Sequence, residues 1–111
     1  MKVKRSEVIK ALRTEPLGAQ GEYWEPYKNR AGCRVCAVGA IVRRALGDKY
    51  AEDFTLLGLY DDTKSERLLW SLSDFYEDKM QTRTSPIDKR FRETLVNFVK
   101  KNFPAEIEVP A

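Results

Sequence analysis

Apolar residues recur with a helical period in four stretches of this chain, and two aperiodic stretches separate them. Val8, Ile9, Ala11 and Leu12 follow Ser6, a good N-cap, and precede Pro16, so a short helix is predicted there. In GCRVCAVGAIVRRALG, Val35, Val38, Val42 and Leu46 keep helical spacing, and Cys36, Ala37, Ala40 and Ile41 widen the apolar surface around the cylinder. This predicts a central buried helix from about Arg34 to Leu46, with Arg43 and Arg44 at its negative end and Gly47 closing it in the left-handed conformation. TKSERLLWSLSDFYE opens with Thr63 and Glu66 at capping-box spacing, and Leu68, Leu69, Leu72, Phe75 and Tyr76 then share one face. In SPIDKRFRETLVNFVKKNFP, Ser85 is the expected N-cap and Pro86 the first helical residue, with Ile87, Phe91, Leu95, Phe98 and Val99 as the inward stripe.

Between these helices, PLGAQGEYWEPYKNRAG reads as an irregular connection rich in aromatic surface. DKYAEDFTLLGLYDD fits a short helix and a short strand equally. The tail PAEIEVPA alternates Ile107 and Val109 with glutamates, as an edge strand or an unordered end would. The fold class expected is mainly α: a compact bundle of about four helices around the central helix at about 34–46, with room for a short strand or hairpin. Residues 1–111 suit a single domain.

Composition narrows the classes. The chain is 42% hydrophobic and 33% charged, without a low-complexity tract, which is a globular balance. No run reaches the roughly 18 apolar residues of a membrane span, and the N-terminus lacks the apolar core of a signal peptide. A cytoplasmic protein that does not engage membranes is expected. The net charge of +3 hides an uneven distribution: residues 1–46 carry ten basic and four acidic groups, 47–80 four and nine, and 81–111 six and four. Two basic flanks enclose an acidic middle.

The cysteine pair invites a chemical reading, and the rest of the chain withholds partners for it. A thioredoxin-like site needs a buried strand before its Cys-x-x-Cys, whereas EPYKNRAG is polar and turn-like. A structural zinc site needs four ligands, and there is no histidine and no third cysteine, so closure requires a homodimer sharing Cys33 and Cys36. Packing of Cys36 as a small buried side chain, with Cys33 the more exposed, is the expectation; no metal or cofactor is expected. The lack of histidine also removes the usual Ser-His and Cys-His nucleophile pairs, and the carboxylates Asp61, Asp62, Asp74, Glu77 and Asp78 read as a solvated face. No catalytic residue is assigned, and the protein is read as non-enzymatic.

Two binding surfaces remain. Tyr23, Trp24 and Tyr27, with Arg30 and Arg34, are expected to anchor a protein partner. Basic residues gather at both ends, Lys2, Lys4, Arg5, Lys10 and Arg13 in one set and Lys89, Arg90, Arg92, Lys100 and Lys101 in the other. From these, Lys4, Arg5, Lys89, Arg92, Lys100 and Lys101 form the expected nucleic-acid set, with the aromatic loop available for stacking.

At Cys36-Ala37-Val38-Gly39-Ala40-Ile41, preceded by Trp24, the chain resembles small proteins encoded by bacteriophages and plasmids, in which a tryptophan-bearing loop leads into a Cys-x-x-Gly-Ala-hydrophobic helix. LSDFYED and RETLVNFVKKNFP look like that group's C-terminal half, while Cys33 is an addition to its pattern. The resemblance implies a mobile-element accessory factor that binds and modulates a host protein or ribonucleoprotein, as anti-CRISPR inhibitors do. The leading expectation is such an interaction protein. The alternative is a nucleic-acid-binding module using the basic ends and the aromatic loop.

Overall fold

Where the apolar period predicts helices, helices form, but their ends are set by partners that local sequence does not display. A computed structural model describes residues 1–18, 24–26, 33–47 and 64–109. In chain order the described elements are β1 (Lys2–Lys4), α1 (Arg5–Thr14), β2 (Trp24–Pro26), β3 (Cys33–Val35), α2 (Ala37–Leu46), α3 (Lys64–Thr82), α4 (Lys89–Asn102) and β4 (Glu106–Glu108). α1 packs against α2 and α4, and α3 completes the bundle by packing on the same two helices. The core they enclose draws Val8, Ala11 and Leu12 from α1, the unbroken run 36–42 from α2 and its cap, Leu69, Leu72, Tyr76 and Met80 from α3, and Leu95, Val96 and Val99 from α4.

Three helix starts differ from expectation. α1 begins at Arg5, and its N-cap is Lys4, which makes no side-chain capping bond. Strand pairing takes the place of a serine cap: β1 runs antiparallel to β4, with Lys2 opposite Glu108, Val3 opposite Ile107 and Lys4 opposite Glu106. The Arg5 amide then donates to the Ala105 carbonyl at 2.8 Å. The tail is therefore an edge strand, held by the first residues of the chain and by Ser65, whose Oγ accepts the Glu108 amide at 3.0 Å. Val3, Ile107 and Val109 turn inward, while lysines oppose glutamates on the outer side, a favourable cross-strand arrangement.

α2 starts at Ala37, not near Arg34, because Cys33–Val35 pairs antiparallel with Trp24–Pro26. The segment read as an irregular connection thus contains a strand, and Cys36 becomes the N-cap. Gly47 ends the helix as expected, with φ +97° and its amide donating to the Arg43 carbonyl at 3.0 Å. α4 starts at Lys89, beyond Ser85 and Pro86, because the Asp88 carboxylate accepts the Phe91 amide at 2.9 Å. The Arg83 guanidinium meanwhile donates to the Ser85 carbonyl at 2.8 Å. Thr63 and the segment 48–62 lie outside the described residues.

The α1–α4 contact is antiparallel, and each helix supplies an arginine to the other's C-terminal end. Arg92 Nη1 donates to the carbonyls of Leu12 at 2.8 Å and Glu15 at 2.7 Å. Arg5 Nη1 donates to the Phe103 carbonyl at 3.0 Å. Between them Arg13 meets Glu93 in a two-bonded pair at 2.9 and 2.7 Å. Helix ends leave carbonyls unsatisfied at the negative pole of the dipole, and these guanidinium groups answer both deficits. Arg92→Leu keeps the apolar stem but removes both bonds, so it is expected to cost about 2–3 kcal/mol. Arg13→Ala, which breaks an exposed pair, is expected to move the melting temperature far less. Thermal melts of the two variants decide, and equal losses would refute the capping role of Arg92.

Candidate functional site

The basic residues of α1 and α4 divide into those that hold the fold and those left facing solvent. Of the six cations expected to contact nucleic acid, Arg5 and Arg92 belong to the first group, tied to main-chain carbonyls at the two ends of the α1–α4 seam. Burial lowers the pKa of Arg92 from its ordinary value, with Glu15 and Tyr76 opposing the shift. Lys4, Lys89, Lys100 and Lys101 are exposed, and Arg90 is exposed alongside Lys89. The seam carries a hollow at each end. Lys4, Arg5, Ser6, Ile9 and Lys100 line one, of about 590 Å³, and Arg13, Ile87, Asp88, Lys89 and Arg92 line the other, of about 410 Å³.

Glu93 and Asp88 on this face are engaged. The Arg13 hydrogen bond holds the Glu93 carboxyl below its usual range, and the charges of Arg13, Lys100 and Lys89 pull in the same direction. Glu106 stands opposite Lys4 in the strand register, and Asp88 is the α4 cap. On the neighbouring seam, Arg44 donates to Glu7 at 2.9 Å and Arg43 lies 3.7 Å from Glu15, so α2 is also keyed to α1 by charge. The effect is to neutralise acidic groups around α1 while leaving lysines exposed at both ends of α4. Sequence reasoning placed Arg5 and Arg92 among the exposed set because nothing local distinguishes a capping arginine from a solvated one.

The other expected surface is only partly described. Tyr23, Tyr27 and Arg30 lie outside the described residues. Trp24 and Arg34 stand in β2 and β3, Trp24 opposite Val35 and Arg34 opposite Glu25, immediately before α2. The expected exposure of the Cys33 thiol also falls outside the described residues. Cys36 is placed: it is 1% exposed, and its Sγ accepts the Gly39 amide at 3.3 Å. Burial pushes its thiol up to about 12. Buried Tyr76 is raised as well, chiefly by burial and then by Cys36, and Phe91 meets its ring edge-on at 6.4 Å. A thiol kept protonated in an apolar site is a packing and capping group, not a nucleophile.

No helix of the described residues is long and apolar enough to cross a membrane. Comparison with protein-family models, with curated proteins and with solved structures finds no match to this chain.

Three predictions concern Cys36. In a Cys33→Ser background, the remaining thiol should resist an aromatic disulfide reagent at pH 8 until denaturant unfolds the chain; rapid labelling of the folded protein would contradict its placement. Loss of the cap and of packing should make Cys36→Ala cost about 1–2 kcal/mol. The third prediction follows from the raised thiol. The folded pKa lies above the ordinary 9.0, so below pH 9 both states hold the proton and burial stabilises fully. Between pH 9 and about 12 the unfolded state releases its proton first, and stability falls across that window. The urea midpoint should therefore drop further between pH 8 and pH 11 for wild type than for Cys36→Ala, and equal drops would contradict this.

Proposed function

We propose that this protein is a non-enzymatic nucleic-acid-binding module whose contact surface is the solvent face of α4. One observation carries the reading: Lys89, Arg90, Lys100 and Lys101 are exposed together on α4, where the Glu93 carboxylate is already paired with Arg13. Uncompensated cations on a rigid helix surface attract a polyanion and release its counterions on contact. Fluorescence anisotropy with labelled oligonucleotides across a salt series tests it. Affinity should fall steeply with salt, and changing Lys100 and Lys101 together to glutamate should weaken binding on the order of tenfold or more, with the melting temperature little changed. Absence of binding at low salt would refute the reading.

A second reading, docking on a host protein or ribonucleoprotein by a mobile-element factor of the anti-CRISPR type, is favoured by the hairpin that places Trp24 directly ahead of α2. Its test is affinity capture of a host partner with the wild-type chain and with Trp24→Ala. A protein partner lost in the variant supports it, and a partner retained by the variant refutes the hairpin as the docking element.

A further inference from the structure

The exposed side of α4 carries a pattern more specific than positive charge. Arg90, Thr94, Asn97 and Lys101 recur at i, i+4, i+7 and i+11, which is one row along a helix of 3.6 residues per turn. Arg90, Asn97 and Lys101 are exposed and Thr94 is half-buried. Cations occupy only the two ends of the row, each with a lysine beside it, Lys89 at one end and Lys100 at the other. At 1.5 Å per residue the two cationic ends lie roughly 16 Å apart. Between them the row offers the Asn97 amide and the Thr94 methyl and oxygen, the hydroxyl donating to the Arg90 carbonyl at 3.1 Å, and the nearby carboxylate of Glu93 is occupied by Arg13.

A single strand laid along this row would present phosphates to Thr94 and Asn97, where no cation waits. A duplex presents two phosphate backbones with a groove between them. The major groove of B-form DNA is about 12 Å wide and admits an α-helix. Two cationic ends at the spacing of α4, on flexible side chains, match the two rims of such a groove, and the uncharged middle matches its floor. Building on the nucleic-acid reading above, we propose that the ligand is B-form duplex DNA and that α4 inserts into its major groove. Lys89 and Arg90 contact the phosphates of one rim, and Lys100 and Lys101 those of the other. Asn97 and Thr94 face base edges. An asparagine amide donates and accepts at once, the combination that adenine N6 and N7 offer, and threonine presents both an oxygen and a methyl.

The test uses the intact chain and three labelled probes of one sequence: duplex DNA, single-stranded DNA and duplex RNA. Duplex DNA should bind about tenfold more tightly than either of the others, because the A-form major groove of RNA is too deep and narrow for side chains to read. Each double change, Lys89→Gln with Arg90→Gln or Lys100→Gln with Lys101→Gln, should lower the slope of log affinity against log salt by about two. Asn97→Ala should leave that slope unchanged and lose any preference between duplexes that differ in their A·T positions. Single strand or duplex RNA bound as tightly as duplex DNA would overturn the groove proposal while leaving the nucleic-acid reading intact. So would an Asn97→Ala variant with unaltered sequence preference, or a slope that responds to one cationic end alone. Failure of all three probes to bind at low salt would overturn both.

Discussion

The antiparallel seam between the two ends of the chain is the constraint on which the rest of the structure depends. It begins where Met1 donates from its amine to the Val109 carbonyl at 2.9 Å and continues through the β1–β4 register. From there it passes through the Arg5 bonds to Ala105 and Phe103, then the Arg13–Glu93 pair, and ends where Arg92 closes α1. Partners advance along one segment as they retreat along the other, so strand pairing and helix packing are one continuous alignment. A slip of one residue in the strands would turn Val3 and Ile107 outward and carry both arginines off their carbonyls.

This alignment explains why so short a helix as α1 is well placed. Isolated helices of about ten residues are marginal in water, and α1 has no side-chain N-cap. Its first amide is taken by the Ala105 carbonyl, its last carbonyls by Arg92, and its inner face by Val8, Ala11 and Leu12. α2 reaches α1 from the other side with Arg43 and Arg44, each pointed at a different glutamate of α1. Helix α1 is therefore gripped by charge on two flanks and by apolar packing beneath.

The same grip shapes the surface. Arginines that the seam consumes are withdrawn from any partner, and the glutamates they engage lose most of their repulsion toward an anion. What remains outward on α4 is lysine and arginine at its ends and neutral polar groups in its middle. The basic surface is in this sense the remainder of the folding electrostatics. Its rigidity comes from the packed underside, where Phe98 stacks on Phe75 at 4.5 Å, Phe91 meets Tyr76 and Leu95, Val96 and Val99 are fully enclosed.

Much of this was legible from residue order alone, and the boundary between what was and was not is physical. Apolar periodicity located the four helices of the described residues, since the period that buries one face is a property of neighbouring residues. It also marked Cys36 as internal and Gly47 as a helix end, because a run of small apolar residues and a glycine after it act locally. The strands were harder to see. β1 is three residues, KVK, and gains meaning only opposite EIE at the far end of the chain; β3 interrupts an apolar run that reads as helix until Trp24–Pro26 pairs with it. The basic surface was visible as composition, yet its membership was not, for Arg5 and Arg92 look like Lys4 and Lys89 in sequence. Only the tertiary structure sorted them, because whether a guanidinium faces water or a helix end depends on a carbonyl some eighty or more residues away.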